Sequence, residues 1–549
     1  MATSTVSLLK TPGAEAQQKP FEGAHPAPRS KAMALVSVLT MLSFLIQGYH
    51  PYAEDGGLYL AGVKRVLSPA MYPHETGFVL GHLRFSLFAP VVALFVRLSD
   101  LRLETALLLI YLAATWATLW SAWLLAEQCF DGRARVGSVA LLATWLTLPV
   151  AGTSLMLMDP YVTARSVSTP GTLFAIYYSL RFLTKLHEEG EHDTSLFIKA
   201  GLSLVIASVM HPLMAAYGFG SILALAAGSL CRRRSWLAST GALTVGAVIV
   251  ALILRLMEQP EPLDYHQVAM SRYYWFLSQW HWYEWMGIAG PLVILGFTAF
   301  AEKNSDHAFG RVALARMSIT AGVASVLVSL LFARSDSASL IVARLQPLRV
   351  FQVIYTVMIL FVGARLSSWL GRKKLPWATA FGILAAVMFV AERQTFPSSP
   401  HIELPSEHQG NAWVQAFEWI RANTPRDAFF ALDSDYITKP GEDAQSFRAI
   451  AERSALPDYS KDGGEAAITP SLTAEWRMGQ ALQSGLSHRS DADRISALAR
   501  VGVDWVVLTR DATTALPCAY ANDAVKVCHL PLSPVRNGVG QSTVLEAKR

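Results

Sequence analysis

Long apolar runs, broken by short polar intervals, fill the first two thirds of this chain. Runs at Met33–Ile46, Leu103–Ala126, Val136–Met156, Gly171–Leu183, Leu196–Met210, Leu213–Leu230, Trp236–Leu254, Gly287–Phe300, Ala315–Phe332, Val350–Leu366 and Trp377–Val390 predict about 11 transmembrane helices. A bilayer core of about 30 Å needs roughly 20 residues, and several runs are shorter than that. One more run, Val79–Leu98, contains His82, Arg84 and Arg97 with Pro90 in its middle. A crossing there would invert every later loop, so the pattern predicts a helix lying in the outer interface.

The pattern changes after the Pro/Ser-rich linker Thr395–Pro405. Helical periodicity marks Ala412–Ala422, Leu472–Leu482 and Asp491–Val501, and strand-like runs mark Ala428–Leu432 and Trp505–Leu508. Alternating elements of this kind predict a small α/β unit. The expected fold class is an α-helical polytopic membrane protein with a soluble α/β domain at its carboxyl end. Its parts are a disordered cytoplasmic tail (1–32), a membrane domain (33–394) and an extracytoplasmic domain (395–549). The tail is polar and rich in Pro, Ala and Gln. The first apolar run lacks an Ala-x-Ala cleavage pattern and reads as a retained anchor.

Composition supports the division. Of 549 residues, 52% are hydrophobic and 16% charged, against about 25% charged in soluble domains. From His401 onward 15 Lys/Arg face 19 Asp/Glu, whereas the rest carries 31 against 22. The basic residues sit in loops: Arg133/Arg135, Lys185, Arg232-Arg233-Arg234, Lys303 and Arg372-Lys373-Lys374 occupy alternate ones. Such loops stay in the cytoplasm. The amino terminus is then inside, the carboxyl-terminal domain outside, and the net charge of +5 is no argument for nucleic acid. The same rule puts Glu54, Asp55, Asp159, His211, Arg344 and Arg349 outside, at span ends.

Cys129 and Cys231 fall at cytoplasmic ends of spans. Cys518 and Cys528 flank a predicted hairpin, and a disulfide there fits an oxidising, extracytoplasmic compartment. The aromatic stretch from Tyr273 to Trp285 reads either as an interfacial belt or as a wall for a lipid or a sugar.

Candidate chemistry begins at Glu54-Asp55, within Tyr-His-Pro-Tyr-Ala-Glu-Asp-Gly-Gly (49–57). Carboxylates at a membrane boundary are costly unless solvated or functional. The pair either caps the following helix or supplies a general base for an acceptor hydroxyl. Asp159 and Arg165 lie in the next outer segment; Arg165 could pair with Asp159 or hold phosphate. His211-Pro212 breaks a long apolar run at the outer face. Arg344 and Arg349 suit a phosphate or lipid headgroups. Phe447–Ser454 and Lys461–Glu465 are polar signals that could face the same site. No Walker A, GxGxxG, HExxH or GxSxG pattern occurs.

These features together resemble the GT-C superfamily of integral-membrane glycosyltransferases. In that family an acidic motif follows the first span, a second polar outer loop and a broken helical hairpin come later, and many members end in an extracytoplasmic domain. Glu54-Asp55, Asp159, His211-Pro212 and His401–Arg549 correspond, and Trp419–Pro425 with the later Phe-Arg…Glu-Arg-Ser is similar to uncharacterised bacterial members. There is no Asp-x-Asp after the first span and no Trp-Trp-Asp-Tyr-Gly. A Lys found at the hairpin break in some members is His211 here.

The resemblance implies an inverting transfer in a bacterial inner membrane, from a polyprenyl-phosphate sugar to a glycan, lipid or protein acceptor. Asp55, with Glu54, would be the base; Arg344, Arg349, Arg165 and His211 would hold the phosphate. A divalent metal ion is optional in the family, with Asp159 as its ligand. The competing readings are a flippase or transporter of a lipid-linked substrate, and a non-catalytic membrane sensor.

Overall fold

The computed structural model describes residues 29–230, 233–300, 308–405 and 410–531. The tail through Pro28, with Cys231, Arg232 and Lys303, lies outside them. The chain opens with α1 (Arg29–Gln47), α2 (Glu54–Leu67), α3 (Gly77–Leu80), α4 (Phe88–Ser99), α5 (Leu103–Glu127) and α6 (Gly132–Thr144). A hairpin-rich bundle follows: α7 (Ala164–Glu188), α8 (Thr194–Met210), α9 (Pro212–Leu230) and α10 (Arg233–Met257). Then come α11 (Leu263–Met270), α12 (Trp282–Ala299), α13 (Ala308–Phe332), α14 (Ile341–Leu345), α15 (Phe351–Arg372) and α16 (Trp377–Thr395).

Each apolar run of the sequence carries a helix, yet the count of spans changes. Among the described residues six helical stretches are long and apolar enough to cross a bilayer: α1, α5, residues 212–229 of α9, α10, α13, and 341–372. The expected count of about 11 included shorter or more polar runs. Helix α6 stops after 13 residues and turns fill the way to α7, α8 has 17 residues, and α7 carries Arg165, Pro170, Arg181 and Lys185. Val79–Leu98 is not one interfacial helix. It splits at Ser86-Leu87 into two arms bent by 95°, a broken span or a re-entrant loop.

Large apolar side chains remain exposed on α8 and α10, among them Phe197, Leu202, Ile206, Val245, Val250 and Ile253. A band of this kind, left uncovered by protein, faces hydrocarbon in a multi-pass membrane protein. The two ends of the bundle differ. At one end Arg311 donates to the Cys129 carbonyl (2.8 Å), Ser367 donates to the Arg133 carbonyl (2.9 Å), and His187 stacks on Phe309. At the other end α2, α3 and α11 meet the carboxyl-terminal part of the chain.

That part contains α17 (Ala412–Asn423), α18 (Phe447–Ala451), α19 (Lys461–Ile468), α20 (Thr473–Gln483) and α21 (Asp491–Leu498). They pack around a mixed sheet of order β2-β1-β3-β5-β4, with β1 (Phe429–Ala431), β2 (Ser454–Ala455), β3 (Trp505–Thr509), β4 (Cys518–Ala521) and β5 (Val525–His529). Strand β1 runs parallel to both β2 and β3, while β5 is antiparallel to β3 and β4. Asn411 caps α17 by accepting from the Trp413 and Val414 amides. A disulfide joins Cys518 and Cys528, which are paired across β4 and β5.

Candidate active site

The acidic turn sits where three non-glycine residues take left-handed backbone. Glu54 has φ +52°, and Asp443 and Ala444 have φ +59° and +57°. Such conformations are costly for side chains with a Cβ and persist only where surrounding contacts hold them. Here the Glu54 amide donates to the Ala444 carbonyl (2.8 Å) and the Ser446 amide to the Tyr52 carbonyl (2.9 Å). The two glycines that follow the acids let the turn lodge between its neighbours. A Cβ on Gly57 would stand 2.2 Å from the Ser446 Cβ, and one on Gly56 2.9 Å from the Tyr161 Cβ.

Helix α7 supplies Arg165 from its first turn, after a Thr163/Ser166 capping box. Its guanidinium bridges two carboxylates. It donates to Asp55 Oδ2 (3.1 and 3.2 Å) and to Asp159 Oδ2 (2.9 Å). Lys461, the first residue of α19, comes from the other side. Its Nζ donates to Asp55 Oδ1 (3.2 Å) and pairs with Glu54. Both oxygens of Asp55 are thus engaged by cations.

The titration follows from these contacts. Burial pushes the Asp55 carboxyl up, but Lys461, Arg165 and the more distant Arg349 outweigh it and hold it well below the ordinary range. Burial opposes the Lys461 ammonium, but Glu54 and Asp55 outweigh that and hold its proton more tightly than usual. At Asp159 burial wins over Arg165 and raises the carboxyl.

Lys461 is itself held in place. Arg272 donates to the Tyr459 carbonyl (2.9 Å) and the Ser460 carbonyl (2.5 Å), just before α19. Arg448 on α18 makes a two-pronged pair with Asp462 (2.6 and 2.7 Å). Asp458 accepts from the Lys461 amide (2.6 Å).

Arg349 lies in the 3-10 turn Pro347–Val350. It is half-buried and faces Asp55, Arg165, Tyr217 and Tyr274. Its Nε is sealed from solvent without a hydrogen-bond partner among the described residues. His211 ends α8, and its Nδ1 accepts from the Met214 amide at 3.4 Å in the first turn of α9. It too stands near Arg165, Arg349 and Asp55.

The structure therefore gathers Glu54, Asp55, Asp159, Arg165, His211 and Arg349. Arg344 does not join them: it pairs with Glu261, donates to the Tyr265 hydroxyl (3.0 Å) and covers that ring. It braces α14 against α11. The carboxylates do not fit a divalent cation. Guanidinium and ammonium groups occupy their facing oxygens, and no group of three or more His, Cys, Asp or Glu among the described residues is set to hold a metal. Asp159 is an ion-pair partner of Arg165.

The role of Lys461 escaped the sequence beyond a polar, glycine-bearing signal at 461–465, because 406 positions separate it from Asp55. Arg272 directly precedes the aromatic stretch. That stretch divides: Trp275, Phe276 and Trp280 are buried, whereas Trp282 and Tyr283 are 78% and 57% exposed.

No family model matches the chain, and no curated protein does. Among solved structures, the oligosaccharyltransferase AglB from Archaeoglobus fulgidus, in complex with an inhibitory peptide and a dolichol-phosphate, overlaps 88% of this chain and 69% of its own. The identity is 12% and the TM-score 0.39. The apo form of the Archaeoglobus fulgidus oligosaccharyltransferase overlaps 87% and 69%, at 10% identity and TM-score 0.42. The arabinofuranosyltransferase AftD from Mycobacteria overlaps 90% of this chain and 36% of its own, at 15% identity and TM-score 0.41. Superpositions this loose assign no function.

Proposed function

We propose that this chain is a membrane glycosyltransferase of GT-C type. It moves a sugar from a polyprenyl-phosphate donor to an acceptor hydroxyl at the outer face of a bacterial inner membrane, with inversion. The observation that carries the reading is the convergence, at one end of the bundle, of an acidic turn with Arg165, Lys461, Arg349 and His211. A cluster balanced between carboxylates and cations, at the end opposite the basic loops, suits a reaction between a hydroxyl and a lipid phosphate.

In the transfer, the acceptor oxygen attacks the anomeric carbon as its proton passes to Asp55. The bond from that carbon to the phosphate oxygen breaks, and the phosphate leaves with the electron pair. Arg349, with its unmet donor, neutralises the developing charge, helped by Arg165 and His211. The phosphate is already a stable anion, so no acid is needed on the leaving side. In the resting state Asp55 is a weak base, because Lys461 and Arg165 hold it ionised. The acceptor hydroxyl takes the place of Lys461 at Oδ1 while the lysine stays on Glu54, with which it already pairs. Glu54 thus acts as the seat for Lys461. Arg344 takes no part.

The test is release of polyprenyl phosphate from radiolabelled polyprenyl-phosphate sugars by detergent-purified protein. Asp55→Asn is expected to lose on the order of 10²–10⁴-fold in turnover, the range of a general base, with its gel-filtration profile unchanged. Equal turnover in both proteins removes Asp55 from the reaction. No turnover with any donor favours the transport or sensor readings.

A further inference from the structure

The segment that joins the last membrane helix to the outer sheet is no passive tether. Beyond α16 it runs beside the acidic turn, with Ile402 in a parallel bridge to Tyr49. The Tyr49 amide donates to the His401 carbonyl (3.0 Å), and the Glu403 amide to the Tyr49 carbonyl (2.9 Å). Further along the turn, Ala53 forms an antiparallel bridge with Gln445. The stretch that ends in Glu54-Asp55 is thus held by two separate pieces of backbone, one before α17 and one before α18.

Glu403 links these two holds through a single oxygen. Its Oε1 accepts from His50 Nδ1 (2.9 Å), at the start of the turn, and from Gln445 Nε2 (3.0 Å), in the loop before α18. All three side chains are sealed: His50 and Gln445 are 0% exposed and Glu403 is 2% exposed. A carboxyl group this deep is destabilising unless it is bonded, and an apolar side chain of similar size often fills such a space at less cost. What an apolar side chain cannot supply is the pair of directed bonds that fixes His50 against Gln445.

From each partner the contacts lead on to the acids. The His50 amide donates to the Pro160 carbonyl (2.8 Å), next in the chain to Asp159. Gln445 lies between Ala444, whose carbonyl takes the Glu54 amide, and Ser446, whose amide donates to Tyr52. Gln445 Nε2 also donates to Ser399 Oγ (3.3 Å), and Arg393, in the last turn of α16, donates to the Ser399 carbonyl (2.9 Å). The left-handed backbone at Glu54, Asp443 and Ala444 is strained, and surrounding contacts of this kind are what keep such backbone in place.

We infer that Glu403 is a positioning residue for the transfer, a strut that holds the acidic turn where Asp55 meets the acceptor hydroxyl. The inference rests on the transferase reading and deepens it. Glu403 touches no substrate; it acts through His50 and Gln445 on the backbone that carries Asp55. Misplacing a reacting group by about 1 Å costs on the order of 10²-fold in rate, so loss of the strut should appear in kcat. The donor phosphate is held by Arg349, Arg165 and His211, so KM for the donor should stay.

The experiment compares full-length wild type in detergent with Glu403→Ala, Glu403→Gln and Gln445→Leu. Amide hydrogen exchange is read by mass spectrometry over residues 49–57, with α13 and β3 as internal references. Release of polyprenyl phosphate from polyprenyl-phosphate sugars gives kcat and KM. In Glu403→Ala, exchange over 49–57 should rise roughly tenfold, about the effect of one or two lost hydrogen bonds, while α13 and β3 stay protected. Its kcat should fall on the order of 10²-fold with KM for the donor unchanged. Glu403→Gln keeps an accepting oxygen and should restore both readouts. Gln445→Leu removes one of the two donors, leaves the backbone bridge to Ala53, and should show the same local pattern in milder form. Exchange that stays unchanged over 49–57, or rises equally in α13 and β3, overturns the assignment, since Glu403 then serves the fold at large. A raised KM with kcat intact overturns it too. Should Glu403→Ala fail to fold, Gln445→Leu decides by the same readouts. Failure of the strut alone leaves wild-type turnover standing, whereas a wild type that turns over no donor removes the transferase reading and the positioning role together.

Discussion

Arg165 carries the charge balance of the site on one side chain. It is 6% exposed and bridges Asp55 to Asp159, itself 5% exposed. Removing one partner of a buried ion pair leaves the other charge desolvated, at about 3–5 kcal/mol. Arg165→Met is therefore expected to lower stability by that order, measured by thermal unfolding in detergent. Lys461 behaves differently, because Asp55 keeps Arg165 when the lysine is gone. The depressed Asp55 pKa contributes stability above the ordinary carboxylate value, and that contribution is lost as pH falls through the depressed one. With Lys461→Met the Asp55 pKa rises toward the ordinary range. The acid limb of the pH–rate profile should then move to higher pH, and an unmoved limb would mean that Asp55 is not the titrating base.

At the scale of elements, α19 is the piece that brings Lys461 to the acids, and its underside is pH-sensitive. Burial pushes the Glu465 carboxyl up to about 7; Asp462 adds to this, while a hydrogen bond from Thr469 and the charge of Arg84 oppose it. His82 stands 3.9 Å from it, and a Cβ on Gly81 would lie 1.9 Å from its Oε1. A carboxyl raised in the folded state stabilises below its unfolded pKa, and that stability is lost as pH rises toward 7. Glu465→Gln should flatten this loss, so the difference in melting temperature between variant and wild type grows in the variant's favour from pH 4.5 to 7. A constant difference would show that Glu465 does not titrate there. The Gly57–Ser446 contact gives a second expectation at this scale: Gly57→Ala must separate α2 from the loop before α18, at about 1–3 kcal/mol for overpacking.

Elements of this size were partly legible in the chain. Apolar runs locate the long membrane-domain helices but not α2 or α11, and period and turn residues locate α17, β1, α20 and β3 within a residue or two. The bend at Ser86-Leu87 was not legible, because hydropathy is blind to direction. Nor was the pairing of Arg344 with Glu261, because a charge's partner is set by packing across 83 positions. The acid turn could be read from its cost at a membrane boundary. Lys461, Arg272 and Glu403 could not, since each becomes meaningful only beside residues remote in sequence.

At the scale of the molecule, the argument turns on the two unlike ends of the bundle. The basic loop residues Arg133, Arg135, Lys185 and Arg372 lie at helix ends distant in the fold from the acid cluster, where α2, α7, α9 and α15 begin. On the proposed reading positive loops are retained in the cytoplasm, and the acid cluster then faces outward. There a lipid-linked donor is the available form of activated sugar, and the Cys518–Cys528 disulfide is at home. Orientation can be tested apart from catalysis. In a background with Cys231→Ser, a cysteine at the exposed Ala492 position should react with a membrane-impermeant maleimide on intact cells. A cysteine at the exposed Arg372 position should react only after permeabilisation. The reverse pattern would place the acid cluster in the cytoplasm, where nucleotide sugars are at hand and a polyprenyl-phosphate donor loses its physical rationale.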